Sequence, residues 1–203
     1  MAELLIAYNN DLSDGFSDVF EACADKAKEL CRKHSVKCDE IMPPKLTSYN
    51  VCSKISNYKM LFIAAHGDND GIYNEKDEDD EVVTTHTTNY DFKDKGFYSV
   101  SCNAANNLSP ELKRIGLLLF VGYDDKFWVQ GDVAPFCECA LAGLDRFLSG
   151  DTVAEAKQKM YEVFNTKIKE LEMSNKLAAK WLTHNKVHLC FEGRDELTIN
   201  DLK

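Results

Sequence analysis

The chain has 203 residues, 44% of them hydrophobic, and a formal net charge of −10. That length and apolar content suit one α/β domain with a real core and exclude wholesale disorder. The acidic balance argues against a nucleic-acid partner and against anionic membrane surfaces, because phosphate-rich surfaces repel such a chain on average.

Leu4 to Tyr8 is a short apolar run and reads as a first strand. Met1 to Ile6 lacks the basic start and small-residue cleavage site of a signal peptide, and the longest apolar stretches are too short to span a bilayer; a cytoplasmic location is expected. Phe16, Val19, Phe20, Cys23, Ala27, Leu30 and Cys31 form one face of an amphipathic helix, with Asp14 as its cap. Val36 to Met42 reads as a second strand ended by Pro43-Pro44, and a polar helix near Thr47 to Asn57 leads into the strand at Lys59.

After His66-Gly67 the chain turns polar, and Val82 to Thr88 reads as a strand paired with Gly71 to Tyr73. The acidic run Glu75 to Glu81 reads as a solvated loop, and leaves open calcium sensing, autoprocessing or partner docking. The strand Gly96 to Ser101 leads to Cys102. Ser109, Pro110 and Glu111 then read as cap, first-turn proline and first-turn acid of a brief helix that Gly116 stops. Leu117 to Gly122 reads as a buried strand.

A helix with Phe136, Cys137, Ala140, Leu141, Leu144, Phe147 and Leu148 on one stripe closes at Gly150. Thr152 to Glu155 is a capping-box pattern, opening a helix with Val153, Ala156, Met160, Phe164, Ile168 and Leu171 on one side. A further helix near Leu177 to Leu182 precedes a strand over Lys186 to Phe191. Strands alternating with helices predict a mainly parallel sheet covered on both faces, and the absence of a linker or repeat predicts one domain over 1–203. The eight cysteines read as reduced, mostly buried thiols.

His66 and Cys102 each follow an apolar strand and should therefore both sit at the carboxyl edge of the sheet, where they approach each other if their strands are neighbours. An imidazole beside a thiol is the chemistry of a base and a nucleophile. The N–H groups of Gly67 and Cys102 are the natural donors for an oxyanion. His66 to Gly71 imitates a calcium loop but starts on histidine and has Asp77 in the last ligand position, so calcium is at most an option. His184, His188 and Cys190 invite a zinc reading that lacks a fourth ligand nearby in sequence, and no metal is assigned. His34 and His86 sit among polar residues and should face solvent.

Four segments in order carry a resemblance to a known family: the strand into His66-Gly67, the strand into Ser101-Cys102-Asn103-Ala104, the strand Leu117 to Gly122 with Tyr123-Asp124-Asp125 behind it, and Val187 to Leu197. The last looks like a degenerate strand-Gly-Asp-Pro-x-Leu ending. The chain resembles the caspase-like cysteine peptidases of clan CD, closest in pattern to the CHAT-domain and gingipain-like branch. The resemblance implies a caspase-like three-layer α/β sandwich and a thiol endopeptidase acting on a protein or peptide substrate without a cofactor. His66 and Cys102 would be its dyad, and Gly67 would help line the oxyanion hole. Many basic-specific relatives carry an acid two positions before the cysteine, where Val100 stands here. Asp124 or Asp125 could supply that charge and select Arg or Lys. Control would come from an activating protein partner or self-cleavage. The competing reading is a catalytically inactive domain of the same fold, acting as a protein-interaction module.

Overall fold

Side chains alternate across the strands, and that alternation sets the architecture. A computed structural model describes residues 3–13, 15–74, 81–88 and 90–203. The described elements are β1 (Glu3–Tyr8), α1 (Ser17–Lys33), β2 (Lys37–Ile41), α2 (Ser48–Ile55), β3 (Met60–Ala64), β4 (His66–Gly67), β5 (Gly71–Tyr73), β6 (Glu81–Thr84), β7 (Gly96–Val100), α3 (Leu108–Arg114), β8 (Leu119–Tyr123), α4 (Ala134–Leu148), α5 (Val153–Ser174), α6 (Lys176–Val187) and β9 (Leu189–Gly193). Along β1, Leu4, Ile6 and Tyr8 face α1, α4, α5 and α6, whereas Leu5 and Ala7 face α2 and α3. In β3 the same split places Met60, Phe62 and Ala64 on one face and Leu61 and Ile63 on the other. A strand apolar on both faces must be covered on both, so the result is a three-layer α/β sandwich.

The central sheet runs β2-β1-β3-β7-β8-β9, parallel except for β9, which is antiparallel to β8. Phe97 and Phe120 stack between neighbouring strands at 5.5 Å between ring centroids. Fully covered side chains of this size each contribute about 1.5–3 kcal/mol relative to exposed ones. The predicted stripe of α4 is buried, as are Val19, Phe20, Cys23, Ala27, Leu30 and Cys31 of α1 and Val153, Ala156, Met160 and Phe164 of α5. Phe16, counted in the α1 stripe, instead precedes the helix as its N-cap and is exposed. Thr152 and Glu155 form the expected capping box. The N–H groups of Val153 and Ala154 donate to the carbonyls of Leu197 and Asp195, so the chain's last segment holds the start of α5.

Four sequence expectations are corrected. The last strand begins at Leu189, because α6 continues through Val187 and His188 caps it; the buried Asn185 holds that turn by bonding Trp128 through both its amide atoms. Ser109 lies inside α3, not at its cap; Asn107 takes the cap and the Ser109 hydroxyl donates to Glu192 across the sheet. The strand predicted over Val82 to Thr88 stops at Thr84, whose hydroxyl accepts from the N–H groups of His86 and Thr87 and turns the chain. His34 does not face solvent but is largely covered and paired with Asp145 of α4 at 2.6 Å, while His86 is exposed as expected. Asp14 and most of the acidic run, 75–80, lie outside the described residues. Among the described residues no helix is long and apolar enough to cross a membrane.

Candidate active site

Strands β3 and β7 are parallel neighbours, with Ala64 paired to Val100 at the end of the ladder. His66 and Cys102 each stand two residues past that pair, so both leave the sheet at the same level on its carboxyl edge. They line one cavity of about 220 Å³. Phe16, Val19 and Phe20 at the start of α1 form one wall, and Lys126 to Val129, after β8, form another. The His66 ring is held edge-on by Phe16 and Phe20, at 5.6 and 5.2 Å between centroids.

Gly67 brings the two loops into contact. A Cβ at this position would lie 2.5 Å from the Cys102 carbonyl oxygen and 2.9 Å from the Ser101 Cβ, so only glycine permits this approach. Asp68 donates its N–H to the Gly71 carbonyl across the β4–β5 turn. Hydrogen-bonded pairs alternate along an antiparallel ladder, so the next pair, Gly67 with Ile72, is non-bonded. The Gly67 N–H therefore points away from β5.

Asn103 follows Cys102 in the left-handed region, with φ of 56°, a conformation that asparagine tolerates better than most residues. Its N–H donates to the Asp125 carbonyl, which fixes the turn carrying the thiol. Burial pushes the Cys102 thiol above the ordinary range; a backbone hydrogen bond from Phe127 and the charge of Lys126 pull it partly back, and Asp125 adds a small upward push. The resting site thus holds a thiol at neutral pH. Alkylation of Cys102 by iodoacetamide, followed by peptide mapping across pH, should rise through a midpoint above the free-cysteine value of about 8.5. Lys126→Ala removes a cation that favours the thiolate, so it should move the midpoint further up and slow labelling at neutral pH. A midpoint below that of free cysteine would show a preformed thiolate instead.

Asp124 and Asp125 turn toward histidines. Asp124 pairs with His188 at 2.8 Å, and Asp125 lies 3.7 Å from His188 and 3.8 Å from His184. Neither is among the residues lining the cavity. Among the described residues no carboxylate lines the cavity: its walls are mostly aromatic and β-branched side chains, with the Lys126 cation among them.

No family model and no curated protein matches the sequence. Among solved structures, the complex of Porphyromonas gingivalis RgpB pro- and mature domains is similar over 99% of this chain, with a TM-score of 0.63 and 14% sequence identity. The fold is caspase-like. The chain spans about half of the length of that structure's chain, 49%. In this caspase-like frame His66 and Cys102 occupy the carboxyl edge on adjacent strands, as sequence order led one to expect.

Other parts of the site carry little sequence signal. Asn106 and Asn107 reach from the Cys102 loop to the His66 loop: the Asn106 amide donates to Asn69 at 2.7 Å, the Asn107 amide donates to Asp70 at 2.8 Å, and the Asn107 N–H donates to the Asn69 carbonyl. Asp68 is occupied within its own turn, accepting from the N–H groups of Asp70 and Gly71. These bonds use the groups that gave His66 to Gly71 its likeness to a calcium loop. The paired Asn-Asn and Asn-Asp dipeptides were the available clue, but their partners become apparent only when β3 and β7 are neighbours.

Proposed function

We propose that this chain is a cysteine endopeptidase, with Cys102 as nucleophile and His66 as acid and base. The observation that carries the reading is that His66 and Cys102 line one cavity at the sheet edge, with Gly67 packed directly against the Cys102 backbone beside it. As the Cys102 sulfur bonds to the scissile carbonyl carbon, the thiol proton passes to His66. The carbonyl oxygen becomes an oxyanion facing the N–H groups of Gly67 and Cys102. His66 then gives its proton to the leaving amine as the carbon–nitrogen bond breaks, leaving an acyl-thioester on Cys102. Water, deprotonated by His66, attacks the thioester; the free acid leaves and the thiol is restored. The apolar wall favours an apolar side chain before the cleaved bond over Arg or Lys.

The test is capture by peptidyl acyloxymethyl ketones differing in that residue, read by mass spectrometry of the intact and digested chain. One equivalent should attach to Cys102, faster with a Phe or Leu probe than with an Arg probe, and none should attach after His66→Ala at matched time. Indifference of Cys102 to every probe, in a chain that melts normally, would favour the non-catalytic interaction module.

A further inference from the structure

Behind the cavity wall, the end of α6 meets the loop after β8 in a group of side chains that the peptidase chemistry does not use. Asp125, His184 and His188 each offer one ligand atom, and these atoms all lie within 4.8 Å of one another. His184 and His188 are four residues apart, the spacing that puts two histidines on one helix face. Their rings lie 4.4 Å apart between centroids. The Asp125 carboxylate oxygen is 3.7 Å from His188 Nε2 and 3.8 Å from His184 Nε2. Around a tetrahedral zinc-class ion with bonds of about 2.0–2.1 Å, neighbouring ligand atoms stand about 3.3–3.4 Å apart, so the Asp125 oxygen is within a few tenths of an ångström of that spacing from each imidazole.

Two more contacts complete the set. His188 Nδ1 lies 2.8 Å from the Asp124 carboxylate. A proton held on Nδ1 by that carboxylate leaves Nε2 with its lone pair toward Asp125, the carboxylate–histidine arrangement that supports metal ligands. The Lys126 carbonyl oxygen is 3.1 Å from His184 Nε2 and can act as a further oxygen donor once that nitrogen is unprotonated. Trp181 packs edge-on against His184 and stacks on Trp128, closing one side of the group with aromatic surface.

We propose that Asp125, His184 and His188 bind a divalent transition-metal ion of the zinc class, with Asp124 orienting His188 and the Lys126 carbonyl or water completing the shell. The sequence reading grouped Cys190 with the two histidines; the structure leaves Cys190, on β9, out of the group and brings in Asp125, which is 59 residues from His184 along the chain. An ion here would tie α6 to the loop whose next residues, Lys126 to Val129, wall the Cys102 cavity.

The experiment is a titration of the full chain, stripped by a chelator, with zinc and with cobalt(II). It uses a Cys102→Ser background, so that the His66–Cys102 pair cannot hold the ion through sulfur. The chain's two tryptophans are Trp128 and Trp181, so emission reports directly on the site. One saturating equivalent is expected, with a tetrahedral cobalt absorption and quenched emission. His184→Ala or His188→Ala should weaken binding at least about 100-fold, and Asp124→Asn about 10–100-fold. His86→Ala, at an exposed residue elsewhere, should leave binding unchanged. If an alanine variant fails to fold, Asp125→Asn reads the same site with α6 intact. No saturable binding, or binding that survives His184→Ala and His188→Ala together, would overturn the proposal. Because the readout is binding in a chain without its nucleophile, the outcome is independent of the peptidase reading.

Discussion

Hydrolysis of a mixed fluorogenic peptide library is expected to fall by at least about a thousandfold when Cys102 becomes alanine, and by about 10²–10⁴-fold when His66 does. The first figure reflects loss of the atom that forms the covalent bond. The second reflects loss of proton transfer while the nucleophile and the oxyanion donors remain. The double variant should be no slower than Cys102→Ala alone, because residues acting as a unit are strongly non-additive. That third number separates a dyad from two residues that merely share a cavity, since independent contributions would multiply. Both side chains are partly exposed, so neither replacement removes a core residue and melting should change little. Hydrolysis surviving in Cys102→Ala would place the nucleophile elsewhere or indict a contaminant.

The placement of His66 and Cys102 was legible because a parallel sheet converts one-dimensional order into position. An apolar strand followed by a reactive residue puts that residue on the carboxyl edge, whichever strands are its neighbours. What adjacency adds cannot be read along the chain. The Asn106–Asn69 and Asn107–Asp70 bonds, the Phe16 and Phe20 rings against His66, and the Lys126 to Val129 wall each join segments far apart in sequence. The misplaced last strand has a local cause. Val187 suits a strand by type, but Asn185, fully buried and bonded to Trp128, holds α6 through it and leaves Val187 exposed. Tertiary hydrogen bonding overrode the pattern. The same turn puts His188 at the cap of α6 and out of β9, which moves it from the face of Cys190 to that of His184 and Asp125.

Gly67→Ala is the replacement expected to damage the site most without touching a reactive group. Gly96 and Gly193 would place a new methyl at 3.1 Å or more from their neighbours, distances that small shifts relieve. At Gly67 the methyl would meet the backbone carbonyl of Cys102 at 2.5 Å and the amide nitrogen at 3.3 Å. Backbone fixed by Asn103 to Asp125 and by Ala105 to Tyr123 cannot swing aside as a side-chain end can. The loops must separate, at a cost of about 1–3 kcal/mol for overpacking, which moves apart the Gly67 and Cys102 N–H groups proposed as oxyanion donors. Loss of oxyanion geometry alone costs about 10²–10³-fold in turnover. We expect peptide hydrolysis to fall by at least about 100-fold, with a lower melting temperature and faster iodoacetamide labelling of Cys102 as its thiol opens to water. Gly71→Ala meets a comparable clash, 2.5 Å to the Thr84 side chain and 2.7 Å to its Cα, but away from Cys102. It should lower melting while perturbing Cys102 labelling far less. Gly15→Ala, with nothing within 4 Å, should change neither. If Gly67→Ala keeps full turnover, the donors for the oxyanion lie elsewhere and the contact between the two loops is packing alone.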